Sequence, residues 1–168
     1  MGLRNVLLAV EQVVSRCERV AVAILVIAMV AVTFGQVFGR YVLNFAPAWC
    51  EELARYLFVW VVFLGAPIGV KERGHMALRL VEERLPPGGK KFCTALVYAA
   101  AFLFLAVLTW QGGALVSRTV FQVSPTLQIH MRWVYVAIPI GSLLMLFHLV
   151  IIGMKQGIAE HPLYVPEG

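Results

Sequence analysis

Charged residues are scarce in this chain of 168 residues. Lysine, arginine, aspartate and glutamate together make up 14% of the sequence, whereas soluble globular domains average about 25%. Apolar residues make up 61%, and the mean hydropathy is +0.84. This composition argues against a soluble fold and predicts an all-α integral membrane protein, with a single domain covering residues 1–168.

Motifs for catalysis, cofactors and disulfides are also lacking. The three cysteines are Cys17, Cys50 and Cys93, and neither their odd number nor their spacing fits a disulfide framework or a metal site. The sequence shows no Ser-His-Asp set and no glycine-rich phosphate loop. We therefore expect neither an enzyme nor a bound cofactor or metal.

The long apolar runs predict four transmembrane helices. Arg19 and Arg40 bracket 20 uncharged residues, and a helix needs about 20 apolar residues to cross the hydrocarbon core. Pro67 falls within the second run, where a kink is expected rather than a break. The predicted spans are residues 20–42, 48–70, 92–116 and 133–154.

Two further stretches have the apolar spacing of amphipathic helices. Near the N-terminus, apolar residues recur at helical spacing between Leu3 and Cys17, with polar residues between them. A shorter pattern of this kind runs from Met76 to Leu85. Because amphipathic helices of this type lie in the membrane interface, we predict an N-terminal and a mid-chain interfacial helix.

The positive charges predict the orientation of the chain. Lysine and arginine are enriched in cytoplasmic loops, and this placement accounts for the net charge of +5 without a nucleic-acid partner. We therefore predict that both termini are cytoplasmic. One side holds ten basic residues, namely Arg4, Arg16, Arg19, Lys71, Arg73, Arg79, Arg84, Lys90, Lys91 and Lys155. The other side holds four, namely Arg40, Arg55, Arg118 and Arg132.

A charged cluster opens the second predicted span. Only 15 uncharged residues separate Arg55 from Lys71, so a spanning helix must begin near residues 46–48 and carry Glu51, Glu52 and Arg55 into the bilayer. Glu51 and Arg55 are four residues apart in the order that favours an ion pair. Charges within membrane segments usually mark a functional site or a partner. The cluster is therefore either a polar seam against another protein or an internal pair that fixes the end of the helix.

Three functions remain open from these residues alone. A four-helix unit with submerged charges on one side is suited to dock onto a larger membrane protein. A haem- or quinone-associated anchor subunit is an alternative, although His148 is better interpreted as a hydrogen-bonding partner of a neighbouring helix than as a ligand. A small proton-coupled exporter with Glu51 or Glu52 as the proton carrier is a third possibility.

Six short motifs are specific when they are considered together. They are GRYV at 39–42, WCEELARYLFVW at 49–60, FLGA at 63–66, GH at 74–75, SPTL at 124–127 and WVYVAIPIG at 133–141. In this order they resemble the small membrane subunit (DctQ-like) of the tripartite ATP-independent periplasmic (TRAP) transporters, from Arg40 to about Leu149. At 128–130 the chain has Gln-Ile-His, where the resemblance implies a sequence nearer Gly-Ile-Pro.

The resemblance implies a scaffold subunit of a sodium-driven symporter in the bacterial inner membrane. Its partners would be a periplasmic binding protein, which captures an organic acid, and a large multispanning membrane subunit, which carries that acid inward. We predict that the following residues contact the large subunit: Arg40, Trp49, Glu51, Glu52, Arg55, Tyr56, Trp60, Gly65 and His75.

Overall fold

The computed structural model describes the backbone of residues 3–45, 47–82 and 87–158. Side chains are described for residues 9–45, 47–71, 93 and 95–154. The end of the molecule that holds the start of the second helix is called the outer end, because the charge pattern predicts that it faces the periplasm. The opposite end is called the inner end.

The described chain is helical apart from short connections. Its elements are α1 (Leu3–Val42), α2 (Ala48–Glu82), α3 (Pro87–Arg118), α4 (Arg132–Tyr135) and α5 (Ala137–Ile158). Within the described residues, four segments are long and apolar enough to cross a membrane, which agrees with the predicted number. These segments are Ala9–Val42, Ala48–Lys71, Ala95–Arg118 and Arg132–Met154.

The long helices are packed in the order α1, α2, α5, α3. Helix α5 has neighbours on two sides, and 39% of its most apolar window is buried within the chain, whereas none of the corresponding window of α1 is buried. Helices α2 and α3 make little contact with each other. This arrangement leaves broad apolar faces of α1, α2 and α3 for lipid or for another protein.

The two predicted interfacial helices are continuous with spans in the structure. Residues from Leu3 onward run without interruption into the first span as part of α1. The segment from Met76 to Glu82 likewise continues α2, while residues 83–86 lie outside the described residues. Helix α2 also runs through Pro67 without a break, as predicted. Whether either extension lies in the membrane interface remains a prediction.

The predicted fourth span consists of two helical pieces in the structure. The short helix α4 ends at Tyr135, and α5 begins at Ala137. Pro139 lies in the first turn of α5 and has no N–H group to donate to the carbonyl oxygen of Tyr135. The helical hydrogen bonds continue around this gap, with Val136 N–H bonded to Arg132 O at 2.9 Å. The two pieces therefore behave as one span with a local irregularity.

Helices α2 and α5 approach each other closely at Gly141. A Cβ atom built on Gly141 would overlap the carbonyl oxygen of Phe63 and lie 2.8 Å from its Cβ. On its other side α5 is tied to α3 by a hydrogen bond of 2.8 Å from Thr109 Oγ1 to Ser142 Oγ. Small residues allow such approaches between membrane helices. The position of α5 between its neighbours thus depends on Gly141.

We expect Gly141→Ala to lower the thermal stability of the purified protein in detergent, because the new methyl group would push α5 away from α2. The matched control is Gly113→Ala, since a Cβ at Gly113 would meet nothing within 4 Å. Alanine is favoured over glycine in helices by up to about 1 kcal/mol, so the control should keep or raise the melting temperature. Equal melting temperatures for the two variants would contradict this account.

Candidate functional site

The outer end of α2 forms an open cavity with the loop that joins α3 to α4. The cavity has a volume of about 720 Å³. It includes all three charged residues of the cluster predicted from the sequence. Its lining residues are Ala48, Glu51, Glu52, Arg55, Tyr56, Gln122, Val123, Pro125, Thr126, Met131 and Tyr135.

Glu51 and Arg55 form the predicted ion pair. Arg55 Nη2 lies 3.1 Å from Glu51 Oε1, one helical turn away. Both side chains are open, with 66% and 69% of their surfaces exposed respectively. An ion pair so exposed contributes little in water, whereas charged side chains of a membrane-spanning helix usually face protein or a water-filled cavity. The pair therefore leaves polar groups on an uncovered face of α2.

Glu52 points elsewhere and is buried against the outer loop. Its Oε2 accepts hydrogen bonds from the backbone N–H groups of Thr126 and Leu127, at 3.1 and 3.0 Å. Its Oε1 accepts a hydrogen bond from the hydroxyl of Tyr56. A carboxylate that accepts backbone N–H bonds forms strong, charge-assisted hydrogen bonds. Glu52 thus holds the loop to α2, and its role within the chain differs from that of Glu51.

The outer loop is itself ordered by backbone hydrogen bonds. Met131 N–H donates to Gln122 O at 2.8 Å, and Ser124 N–H donates to Ile129 O at 2.9 Å. Gln128 has a φ of 55°, a conformation that glycine adopts most easily. The side-chain amide of Gln128 donates to Pro125 O at 3.2 Å. This is the position at which the family resemblance implies glycine, and the backbone conformation gives the physical reason.

The other predicted interface residues are spread over several surfaces. Arg40 is exposed in the last turn of α1, and Trp49 is exposed in the first turn of α2. Tyr56 is half-buried between Glu52 and Met131, with its hydroxyl 3.4 Å from the Met131 sulfur. Trp60 is half-buried on a face of α2 that does not carry Glu51.

Two predicted interface residues lie farther along α2. A Cβ at Gly65 would meet nothing within 4 Å, so its face is open. The backbone of His75 belongs to α2, but its side chain lies outside the described residues. The structure thus groups Glu51, Arg55 and Gly65 as open positions and turns Glu52 inward.

A second polar cluster lies at the inner end. Lys71 Nζ on α2 donates to Ser15 Oγ on α1 at 2.7 Å and lies 3.6 Å from Glu11 Oε1. On the same face of α1, Glu18 pairs with His148 of α5, whose Nε2 is 3.0 Å from Glu18 Oε2. Apart from Lys71, which is partly exposed, these side chains are buried. The predicted hydrogen bond from His148 to a neighbouring helix is therefore confirmed.

This inner cluster was not predicted from the sequence, where the polar residues near the N-terminus were assigned to an amphipathic interfacial helix. In the structure, Glu11, Ser15 and Glu18 are buried against other helices. The spacing of Glu11, Ser15 and Glu18 shows that these positions share one helical face, but it does not distinguish a face turned to water from one turned to other helices. Lys71 and His148 supply complementary groups from the other two helices. The cluster connects three helices of one chain and leaves the outer pair as the candidate contact with a partner.

We predict that Glu52→Gln loosens the outer loop. The neutral side chain keeps the shape of glutamate but accepts weaker hydrogen bonds. Amide hydrogen exchange at Thr126 and Leu127 should become severalfold faster. Glu51→Gln is the matched control, because among the described residues Glu51 accepts its hydrogen bond from Arg55 and not from the loop. Unchanged exchange in Glu52→Gln, or equal acceleration in both variants, would reject the assigned role.

Comparison with known proteins identifies the family to which this chain is similar. Residues 29–154 match the family described as tripartite ATP-independent periplasmic transporters, DctQ component. The chain is 26% identical over 137 residues to the sialic acid TRAP transporter small permease protein SiaQ of Vibrio cholerae. That alignment covers 82% of this chain and 79% of SiaQ.

Two other relatives differ from this chain in length. The C4-dicarboxylate TRAP transporter small permease protein DctQ of Rhodobacter capsulatus is 35% identical over 101 residues, which cover 59% of this chain and 44% of that protein. The sialic acid TRAP transporter permease protein SiaT of Haemophilus influenzae is 26% identical over 126 residues, which cover 75% of this chain but only 20% of SiaT. With the family matched over most of its length and four apolar spans in its structure, this chain belongs to the DctQ family of small TRAP permease subunits in the bacterial inner membrane.

Proposed function

We propose that this chain is the scaffold subunit of a sodium-driven TRAP transporter that takes up organic acids. It would act with a large multispanning membrane subunit and a periplasmic binding protein. In this proposal the small subunit does not hold the transported solute. Its task is to bind the large subunit and to keep it correctly placed in the membrane.

The observation that carries the proposal is the exposed pair of Glu51 and Arg55. Both residues lie in the first two turns of a span that runs from Ala48 to Lys71. Polar groups there are costly in contact with lipid, and the chain buries two other ionisable side chains, Glu18 and His148, against each other. A second membrane polypeptide that covers the pair would remove this cost.

The distribution of charge supports a static role. In the first span, residues 20–39 carry no charge, and the charged residues of the other described spans lie toward their ends. Carriers commonly have ionisable groups and broken helices near the middle of the membrane. The described spans of this chain instead place their charges where helices meet each other or end.

The relatives support both the partner and the substrate class. SiaT is described as a permease protein, and this chain corresponds to only a fifth of it. A small component joined to a longer permease in one chain would lie beside the rest of that permease. Two of the relatives are named as subunits of transporters for sialic acid and for C4-dicarboxylates. Both are organic acids. The proposed sodium coupling rests on the family resemblance.

The test is co-purification with the large subunit of the same transporter. Arg55→Ala would leave Glu51 as an unpaired charge in the interface, and we expect recovery of the large subunit to fall by about tenfold or more. The double variant Glu51→Ala/Arg55→Ala removes both charges and should restore much of the recovery. Arg118→Ala is the matched control, because Arg118 is an exposed arginine at the outer end of α3.

Two results would contradict the proposal. The first is equal recovery of the large subunit with Arg55→Ala and Arg118→Ala, which would show that the pair is not covered by that partner. The second is solute uptake by vesicles that contain this chain alone, which would show that it does not need a large subunit.

A further inference from the structure

One face of α2 is open along nearly the whole span. Positions separated by three or four residues share one side of a helix. Among the described residues, the four side chains on this face are exposed, and its two remaining positions are glycines. We call it the open face of α2, and it consists of Glu51, Arg55, Phe58, Val62, Gly65 and Gly69.

The apolar side chains on this face are exposed. Phe58 is 55% exposed and Val62 is 45% exposed. A Cβ atom added at Gly65 or at Gly69 would meet nothing within 4 Å. By contrast, the space beside Gly141 of α5, where a side chain would lie, is occupied by the backbone of Phe63 on α2. Within the described chain there is therefore free space beside both glycines of the open face.

The length of the open face suits a membrane-spanning partner. From Glu51 to Gly69 a helix rises by about 27 Å, close to the thickness of about 30 Å of the hydrocarbon core. The outer end of the face carries the exposed Glu51–Arg55 pair, which a partner would meet with polar groups of its own. The inner half carries glycines, which allow two helix backbones to approach closely.

The open face of α5 provides a contrast within the same molecule. Among its described side chains the exposed ones are Ile140, Leu143, Val150 and Met154, which repeat at helical spacing and carry no charge. Apolar side chains of this kind are satisfied by lipid. Because the open face of α2 combines an ion pair with two unfilled glycines, it differs from a surface suited to lipid alone.

We infer that the open face of α2 binds one transmembrane helix of the large subunit. This inference rests on the proposed function and specifies the surface of this chain that contacts the large subunit. The polar groups of that helix meet Glu51 and Arg55 at the outer end, and its backbone comes closest at Gly65 and Gly69. Side-chain size decreases along the face from Phe58 to Gly69, so the two helices converge toward the inner end.

The experiment compares leucine substitutions in the complex co-expressed with the large subunit. Gly65→Leu and Gly69→Leu should each lower recovery of the large subunit by about tenfold or more, because the new side chain prevents the close approach. Gly113→Leu on α3 is the matched control, since that position is also unfilled within 4 Å. Membrane insertion and the size-exclusion profile of each variant alone should match the wild type. Gly65→Ala should give a smaller loss than Gly65→Leu.

The outcomes separate this inference from the proposed function. If the wild-type chain fails to recover the large subunit, the proposed function is wrong. If the wild type recovers it and both leucine variants recover it as well as Gly113→Leu does, only the helix-docking inference is overturned. Loss of a homodimer in Gly65→Leu, with unchanged recovery of the large subunit, would assign the open face to a second copy and also overturn the inference.

Discussion

Charged and strongly polar side chains in a bilayer must be paired, either within the chain or by a partner, because lipid offers them no hydrogen bonds. This constraint accounts for the polar contacts between the helices of this protein. At the inner end, Glu18 is paired with His148 and Lys71 with Ser15. At the outer end, Glu52 is satisfied by the loop between α3 and α4. Glu51 and Arg55 also pair within the chain, but their side chains remain exposed.

The fold follows from these pairings and from close contacts at small residues. The inner polar cluster joins α1 to α2 and α5, while Gly141 brings α5 against α2. Thr109 and Ser142 join α5 to α3. The helices therefore stand in a row with wide free faces. Such a row buries little of its own apolar surface, which suits a subunit that completes its packing against another membrane protein.

Much of this architecture could be predicted from the sequence. The length of the apolar runs predicted the four spans, and the spacing of Glu51 and Arg55 predicted their ion pair. The burial of Glu11 and Glu18 could not be predicted in the same way, because the polar side of an amphipathic helix can face water or other helices. The separate role of Glu52 could not be predicted either, because it depends on the backbone N–H groups of Thr126 and Leu127, which are distant in sequence. Pairings of this kind are tertiary contacts that no local pattern records.

The central claim is that the open face of α2 is covered by the large subunit. Phe58 on this face and Leu143 on the open face of α5 are equally exposed, at 55% and 54%. Nitroxide labels at these two positions, on a background without the native cysteines, would report oxygen accessibility in lipid bilayers. The account predicts that adding the large subunit lowers the accessibility at position 58 and leaves position 143 unchanged. Accessibility at position 58 that stays as high as at position 143 in the assembled complex would contradict it.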